Sequence, residues 1–219
     1  DDVRYRRTEA RVRSQLADID VEFDSIDEAV AKIAQGIAVF SELADGQDVI
    51  PSDVPYLLLL MIQHGELLRK LGRLETSEVV LEEALQRARK REVSNKEPTS
   101  RHLVARILLE SGRTLQAHEK DLDAAGKYIE EAIAIWSSLA TEYRQTLDYQ
   151  NYLANARVAR AELRLATNDA ESARTDLEAA RVSLQAIADK AAKLTYHESL
   201  AQCLAALARL EMNSGDREQ

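Results

Sequence analysis

The sequence is poor in the residues that make turns and cross-links. Its 219 residues include seven glycines, three prolines and one cysteine, and only 5% are aromatic. An ordinary soluble chain carries about 7% glycine and about 5% proline, so tight turns must be few here and sheet-rich folds are strongly disfavoured. The single cysteine, Cys203, excludes a disulfide framework and is typical of a reducing compartment, so we expect a cytoplasmic protein.

Long apolar runs are also missing. The longest, residues 56–62, is far shorter than the about 20 residues that span a bilayer, and the first residues do not resemble a signal peptide. The formal charge is −9, from 29 basic and 38 acidic residues. This balance argues against both nucleic acid and an anionic membrane as partners.

Alanine is abundant, with 33 residues, and much of it follows a repeat of 48 residues. In each repeat a bulky apolar residue has a small residue four positions before it and another three positions after it. These offsets trace one stripe of an amphipathic helix, with small residues where a neighbouring helix must come close. The bulky residues are Ile33, Leu81, Ile129 and Leu177; the small ones are Ala29, Ser77, Ala125 and Ala173, then Gly36, Ala84, Ala132 and Ala180.

A second series of small residues predicts another helix before each of these. It consists of Ala17, Gly65, Gly112, Ala161 and Ala208, at spacings of 47 to 49 residues. The two series together predict antiparallel helical hairpins joined by short turns, in which Gly or Asn supplies the left-handed residue. The turns include Leu71-Gly72-Arg73, Thr167-Asn168-Asp169 and Ser214-Gly215-Asp216.

The repeat therefore predicts four helical hairpins and an unpaired ninth helix. The helices are predicted at residues 3–20, 26–44, 53–71, 74–92, 99–118, 121–142, 146–166, 169–190 and 194–213. The repeat units are residues 1–48, 49–96, 97–144, 145–192 and a truncated 193–219. Because no unit can bury its apolar stripe alone, the chain is predicted to form one all-α solenoid over residues 1–219.

This pattern resembles the tetratricopeptide repeat (TPR). The match consists of Gly65, Ser77 and Ala84 with Leu81 and the turn at Gly72, and the same positions recur in the fourth unit. The resemblance implies a right-handed superhelical solenoid that acts as a protein–protein interaction scaffold. The period of 48 residues, in place of about 34, implies longer helices. His64, Ser111 and Arg160 stand where the family prefers leucine.

A narrower resemblance involves residues 134–143, together with Tyr149 and residues 153–154. This stretch is similar to the long repeats attached to serine/threonine protein kinases of planctomycete-type bacteria. It implies a bacterial signalling protein in which this chain is a non-catalytic region. The sequence contains no glycine-rich phosphate loop, no His-Arg-Asp and no Asp-Phe-Gly. Because it begins with Asp1 and stops where a fifth second helix would start, we expect a fragment of a longer protein.

No pattern predicts a catalytic, metal or cofactor site. The four histidines lie in different segments, and none has a second histidine three or four residues away. Cys203 has no nearby basic residue that would lower its pKa, which favours a packing role. We therefore expect a non-enzymatic scaffold. The alternatives are the regulatory or substrate-recruiting region of a serine/threonine kinase and a fragment of an all-helical enzyme.

In the TPR family the first helices line a concave groove, and the resemblance assigns groove positions in this chain. These positions hold five arginines and three carboxylates, so the predicted groove is basic on an acidic chain. We expect it to bind an acidic protein or peptide segment, with Arg106 and Arg113 on carboxylates and Asn155 on the peptide backbone. The alternative is a mixed solvated surface. The candidate residues are Arg69, Arg106, Arg113, Gln116, Asn155, Glu162 and Arg209.

The last helix lacks a second helix after it, so its apolar residues are predicted to be exposed. They are Leu200, Leu204, Leu207 and Leu210. We expect a homodimer through this end.

Overall fold

The computed structural model describes the backbone of residues 2–215 and the side chains of residues 2–212. Within this range every regular element is an α-helix, which confirms the predicted fold class. Each end lies within two residues of its prediction. Asp216, the last residue of one predicted turn, lies outside the described residues. The helices are α1 Asp2–Glu22, α2 Ile26–Asp45, α3 Asp53–Lys70, α4 Leu74–Ser94, α5 Pro98–His118, α6 Leu122–Glu142, α7 Leu147–Ala166, α8 Ala170–Ala188 and α9 Leu194–Gly215.

The chain divides into two compact units, residues 1–118 and residues 119–219. In the first unit each helix from α1 to α4 contacts the next one, and α3 also contacts α5. In the second unit each helix from α6 to α8 contacts the next one, and α7 also contacts α9. The first helices α3 and α5 therefore lie side by side in the first unit, and α7 and α9 do so in the second. The single array over residues 1–219 stays a prediction.

The repeating positions of the second helices form the core of each unit. The predicted bulky residues of α2, α4, α6 and α8 are all fully buried, and the small residues beside them are buried as well. The residues two turns further along are buried too, at Phe40, Ala88, Trp136 and Leu184. The 48-residue pattern thus identifies the packing face of every second helix.

Gly65 shows why the small positions must be small. A Cβ atom at Gly65 of α3 would lie 2.7 Å from both Cγ and Cδ2 of Leu81, a fully buried residue of α4. Real Cβ contacts are almost never that short, so the two helices cross at a distance that only glycine permits. The hydroxyl of Ser77 uses the same approach to donate a hydrogen bond to the Gly65 carbonyl oxygen, at 2.8 Å.

Each turn between the two helices of a hairpin contains one residue with positive φ. These residues are Asp24, Gly72, Glu119 and Asn168, with φ of 60°, 71°, 52° and 62°. After Asp24, Gly72 and Asn168, the amide of the next residue donates a hydrogen bond to the carbonyl oxygen five residues before it. The bond from Arg73 N to Leu68 O, at 2.9 Å, is an example. This is the Schellman ending of a helix. The sequence pattern identified Gly72 and Asn168 but missed Asp24 and Glu119, because carboxylate side chains are uncommon in this conformation.

A buried ion pair joins α1 to the start of α3. Arg7 donates to Asp53 Oδ1 from Nε and to Oδ2 from Nη2, both at 2.9 Å, and the Ile50 amide also donates to Oδ2. Burial is the largest influence on Asp53 and opposes its ionisation. The hydrogen bonds from Arg7 and Ile50 and the charges of Arg7 and Arg11 outweigh it, so the pKa of Asp53 lies below its ordinary value.

Replacing Gly65 by alanine is expected to lower the free energy of unfolding by about 1–3 kcal/mol, because the added methyl group overpacks the contact with Leu81. Gly126→Ala is the matched control, since its Cβ would lie 3.5 Å from Leu163 Cδ2 and meet no obstruction. That control should gain up to about 1 kcal/mol from the lower entropy of its unfolded chain. Urea unfolding measures both; equal effects would contradict the close crossing.

Asp53→Asn is expected to lower the free energy of unfolding at pH 7 by about 3–5 kcal/mol, because it leaves Arg7 buried without a charge partner. The pKa of Asp53 is lower in the folded than in the unfolded chain. Its stabilisation is therefore complete above the unfolded value of about 3.9 and is lost as the pH falls further, so the difference between variant and wild type should narrow in acid.

Asp27→Asn supplies the comparison for this prediction. Asp27 pairs with Arg73 at 2.6 Å, but both side chains are exposed. Exposed pairs contribute about 0–1 kcal/mol, so this variant should remain close to wild type in the same urea titration. A similar loss in both variants would show that the burial of the Arg7–Asp53 pair carries no special stabilisation.

Candidate interaction surfaces

The structure places the seven candidate groove residues on first helices, in two separate groups. In the first unit, Arg69 lies on α3 and Arg106, Arg113 and Gln116 lie on α5. In the second unit, Asn155 and Glu162 lie on α7, and Arg209 lies on α9. Within each unit the helices concerned are in contact.

Arg69 and Arg113 meet at a buried carboxylate, Glu110 of α5. Arg69 Nε donates to Glu110 Oε1 at 2.6 Å, and Arg113 Nη1 lies 3.8 Å from Glu110 Oε2. Glu110 itself is only 5% exposed. The sequence prediction omitted Glu110 because its position in the repeat was not counted as facing the groove. Part of the predicted positive charge is therefore neutralised inside the protein.

A second carboxylate, Glu66 of α3, belongs to the same cluster. Lys70 lies one turn later and its Nζ is 2.9 Å from Glu66 Oε1. Burial is the largest influence on Glu66 and disfavours its charge. The hydrogen bond from Lys70 and the charges of Lys70, Arg69 and Arg113 outweigh burial, so the pKa of Glu66 lies below its ordinary value. We call these five residues (Glu66, Arg69, Lys70, Glu110 and Arg113) the α3–α5 cluster.

Arg106 and Gln116 continue this surface along α5. Both side chains are half-buried. Arg106 precedes Arg113 by seven residues, or two helical turns, so the two arginines share one face of α5. Gln116 follows Arg113 by three residues and lies near the end of the same face. The assignment of these three α5 side chains to a binding groove stays a prediction.

In the second unit, Asn155 is partly committed to the fold. Its Nδ2 donates to Ser199 Oγ at 3.0 Å, which connects α7 to α9, and the Ser199 hydroxyl in turn donates to the Thr195 carbonyl oxygen at 2.9 Å. No protein donor reaches the Asn155 carbonyl oxygen among the described residues. The amide group of Asn155 thus keeps an acceptor for a ligand while its donor has a structural role.

Glu162 and Arg209 are not brought together. Glu162 is half-buried on α7, and Arg209 is exposed on α9. Arg209 Nε donates to the Ala205 carbonyl oxygen of its own helix, at 3.3 Å. Within the described part of the second unit, no ion pair joins these two candidates.

An arginine cluster that the sequence did not predict lies elsewhere in the second unit. Asp176 of α8 is buried and accepts from Arg160 Nε at 2.8 Å and from Arg164 Nη1 at 2.6 Å. Arg160 also donates to both oxygens of Glu130 on α6, at 2.8 and 2.9 Å. The hydrogen bond to Asp176 is the main reason that the pKa of Arg160 is raised. The sequence offered one signal of this cluster, because Arg160 occupies a position where the tetratricopeptide repeat prefers leucine.

A cleft of about 540 Å³ opens beside this cluster, between α6 and α7. Arg160, Arg164 and Lys127 line it, with Leu163 and Glu130 among the other residues. The guanidinium groups of Arg160 and Arg164 are engaged by carboxylates, so these two arginines add no surplus positive charge for an anionic ligand.

The prediction of an exposed leucine face on α9 is wrong for two residues. Leu207 and Leu210 are buried in the core formed with α7 and α8, and Leu200 packs partly against the same core. Only Leu204 is strongly exposed, at 45%. The exposed residues of α9 include Ala201 and Ala208 together with polar and charged side chains. Leu207 and Leu210 lie on the other side of α9, where they pack against α7 and α8.

Within the described residues, no group of histidine, cysteine and carboxylate side chains could hold a metal ion. His118 lies against two carboxylates of α4, with Nδ1 2.6 Å from Glu78 Oε1 and Nε2 3.4 Å from Glu75 Oε1.

No helix in the described part of the chain combines the length and the apolar character needed to cross a membrane.

Cys203 is fully buried on α9, and its Sγ donates to the Leu177 carbonyl oxygen at 3.4 Å. Burial, followed by the charge of Glu178, raises the pKa of the thiol to about 11, although Arg181 acts in the opposite direction. The thiol is therefore neutral at physiological pH, which supports the predicted packing role.

Solved structures with the same fold are found among helical-repeat proteins. The nearly identical TPR-like repeats of a kinesin light chain-like protein from Podosopora anserina match 97% of this chain and 90% of their own, with a TM-score of 0.57 and 20% identity. BtubC (BKLC) from P. vanneervenii matches 100% of this chain and 93% of its own, with a TM-score of 0.50 and 13% identity. No family model and no curated protein sequence matches the chain.

These likenesses identify the fold as that of TPR-like helical repeats. This agrees with the sequence resemblance to the tetratricopeptide repeat. At 13–20% identity, the comparisons concern the fold and do not assign a ligand.

Asp176→Asn is expected to lower the free energy of unfolding by about 2–4 kcal/mol, because Arg160 and Arg164 lose their shared buried carboxylate. Glu198→Gln, an exposed change on α9, is the control and should stay within about 0.5 kcal/mol of wild type. Equal stability of the two variants in urea unfolding would contradict a structural role for Asp176.

Cys203 is expected to react with a thiol reagent at pH 8 at least about 100-fold more slowly in the native chain than in guanidinium. With a pKa of about 11, only roughly 0.1% of the thiol is ionised at that pH, against about a quarter at an ordinary value of about 8.5. Absorbance of the released thiolate measures the rate. Native reactivity within tenfold of the unfolded rate would place Cys203 near solvent.

Proposed function

We propose that this chain is a non-catalytic interaction module that binds an acidic protein or peptide segment. The observation that supports this most is the α3–α5 cluster. Three cations and two carboxylates lie together there, on a chain whose total formal charge is −9. One net positive charge on such a chain creates a local site where a carboxylate is favoured.

The two arginines of the cluster have different roles in this proposal. Arg69 holds Glu110 at 2.6 Å, so its main role is to fix α3 against α5. Arg113 Nη1 is 3.8 Å from the same carboxylate, which is beyond hydrogen-bond distance. Its guanidinium therefore retains donors for a ligand carboxylate, which it can engage through two parallel hydrogen bonds.

Arg106 extends the proposed contact by two turns along α5, and Gln116 extends it in the other direction. Acidic residues spaced along a ligand would meet Arg106 and Arg113 in turn. The amide of Gln116 can both donate and accept, which suits a peptide backbone. The α3–α5 surface therefore offers charge recognition in its centre and backbone recognition at its end.

The second unit contributes a separate proposed contact. The carbonyl oxygen of Asn155 can accept from a peptide N–H while its Nδ2 remains with Ser199. Glu162 and Arg209 are proposed as flanking contacts of opposite charge. Because Arg209 is exposed, its contribution should be small and sensitive to salt.

Binding of a fluorescent peptide of alternating Asp and Leu tests this proposal. Its matched peptide replaces every Asp by Asn, which keeps the shape and removes the charge. Arg106→Glu combined with Arg113→Glu should weaken binding of the acidic peptide at least about tenfold, because two charge-assisted contacts become repulsive. Fluorescence anisotropy measures both affinities.

Lys127→Glu combined with Arg174→Glu is the control, since it reverses two exposed cations on second helices by the same amount. This variant should bind like wild type. Equal affinity for the Asp and Asn peptides, or equal weakening by both double variants, would contradict a specific site at Arg106 and Arg113.

A second candidate function is the regulatory or substrate-recruiting region of a bacterial serine/threonine kinase. It is supported by the sequence resemblance of residues 134–143 alone. The aromatic residues of this stretch pack within the fold: Trp136 stacks on Tyr152 at 5.4 Å and Tyr143 meets Tyr149 at 6.1 Å. The open reading frame of the gene tests this candidate. A kinase domain in the same frame would support it, and a frame without one would remove it.

A further inference from the structure

The second hairpin carries an arginine at a position where the other hairpins have a buried aliphatic residue. This residue is Arg91, near the end of α4. It is half-buried, and its Nε is enclosed without a hydrogen-bond partner among the described residues. The equivalent residues of α2, α6 and α8 are at most 5% exposed: Leu43, Leu139 and Ile187. In this hairpin a cation therefore replaces a core residue of the repeat.

Ser100, in the first turn of α5, is a second polar residue at a core position. It lies twelve residues before the small residue Gly112, as Asp53 lies twelve residues before Gly65. Ser100 is only 1% exposed, and its Oγ has no hydrogen-bond partner in the described part of the chain. Because buried hydroxyl groups normally have a partner, this one is unusual.

Aromatic pairs show which residues meet at a junction, the place where a second helix meets the next first helix. At the junction of α2 with α3, the rings of Phe40 and Tyr56 lie 4.6 Å apart. At the junction of α6 with α7, the rings of Trp136 and Tyr152 lie 5.4 Å apart. The two pairs occupy the same positions of the repeat. Successive junctions thus have the same register.

This register places Arg91 beside Ser100 at the junction of α4 with α5. The positions of the aromatic pair are held there by Ala88 and Leu103, which are both buried. Arg91 follows Ala88 by three residues, and Ser100 precedes Leu103 by three residues. Because the two helices run antiparallel, one turn along each of them leads from the first pair to the second.

The junction of α2 with α3 shows how this part of the fold holds a carboxylate. There Asp53, the equivalent of Ser100, is fully buried and accepts two hydrogen bonds from Arg7, both at 2.9 Å. At the junction of α4 with α5, Pro55 takes the place of Arg7, and Arg91 supplies the arginine from α4 instead. The carboxylate of Asp53 is replaced by the hydroxyl of Ser100.

The charge of Arg91 is not neutralised within the described part of the chain. Arg91 makes no ion pair there, and neither do Lys90 and Lys96 close by. Residues 87–101 include six basic and two acidic residues, although the whole chain has a formal charge of −9. This local surplus of positive charge favours an anion.

We propose that Arg91 and Ser100 form a binding site for a carboxylate group. The guanidinium of Arg91 donates to the carboxylate oxygens, and the hydroxyl of Ser100 donates to one of them. The bound group then takes the part that Asp53 plays at the earlier junction. Since Arg91 is only half-buried, the carboxylate can arrive from solvent, on a small organic acid or on an acidic side chain of a partner.

Thermal unfolding in sodium acetate, compared with sodium chloride of the same ionic strength at pH 7, tests the site. At ten times its dissociation constant, acetate should raise the Tm of wild type by about 3–5 °C more than that of Arg91→Leu. That variant restores the residue type of the other hairpins and is expected to fold. Lys90→Leu, which removes an exposed neighbouring cation, is the control and should keep the full gain. Equal gains in wild type and Arg91→Leu throughout the titration would overturn the proposal.

Ser100→Asp provides a second test, because it supplies the carboxylate from the chain itself. Its Tm in chloride should exceed that of Ser100→Asn, which has nearly the same size and no charge, and acetate should no longer raise it. In an Arg91→Leu background this advantage over Ser100→Asn should disappear. A Ser100→Asp chain no more stable than Ser100→Asn, or one with the full acetate gain, would show that Arg91 does not hold a carboxylate here.

A short blocked peptide, acetyl-Gly-Asp-Gly-amide, distinguishes the two sources of the carboxylate. A gain in Tm at least as large as that from acetate would assign the site to an acidic partner, and a gain from acetate alone to a small organic acid. A gain from neither would overturn the proposal. Arg106→Glu combined with Arg113→Glu should keep the acetate gain, so this result does not depend on the function proposed for the α3–α5 surface.

Discussion

The close crossing of two helices at a small residue is the constraint on which the rest of this fold depends. At Gly65 the crossing leaves no room for a methyl group, because Leu81 occupies the space beside it. A hairpin built this way buries its bulky stripe against its neighbours, and its outer faces remain for the next helix. The long helices, the sparse turns and the shortage of glycine elsewhere are consequences of the same arrangement, since each hairpin needs small residues at only a few crossings.

Buried carboxylates form a second layer of organisation that periodicity does not reveal. Asp53, Glu110 and Asp176 each sit among arginines of a neighbouring helix or turn, and each is almost fully buried. Charged groups at these positions cannot be left unpaired, so their partners are held in place. Arg69 and Arg160, which looked like surface cations along the chain, are for this reason parts of the fold.

The helices were predictable to within two residues, because the spacing of small and bulky side chains records directly which faces touch. The candidate surface was predictable only in part. Arg106 and Arg113 share a face of α5 because they are seven residues apart. Glu110 neutralises part of the positive charge beside them only because α3 and α5 pack closely enough to bury it. The spacing of residues in the sequence does not reveal how closely two helices pack. Leu207 and Leu210 of α9 were wrongly predicted to be exposed, because the pattern identifies an apolar face without saying which neighbour it meets. Asp24 and Glu119 were missed as left-handed residues because their side chains give no signal for that conformation.

Those turns have a further consequence. Only one of the four left-handed positions is glycine, and the other three hold Asp24, Glu119 and Asn168 at a cost of about 1 kcal/mol each for Asp and Glu, somewhat less for Asn. Helix packing must therefore impose the bend on the turn, since the turn residues do not favour it by themselves. Glycine at these three positions would therefore stabilise the hairpins. The hairpins tolerate strained turn residues because the packing at their helix crossings compensates for the strain. A core substitution should destabilise most a hairpin whose turn is already strained.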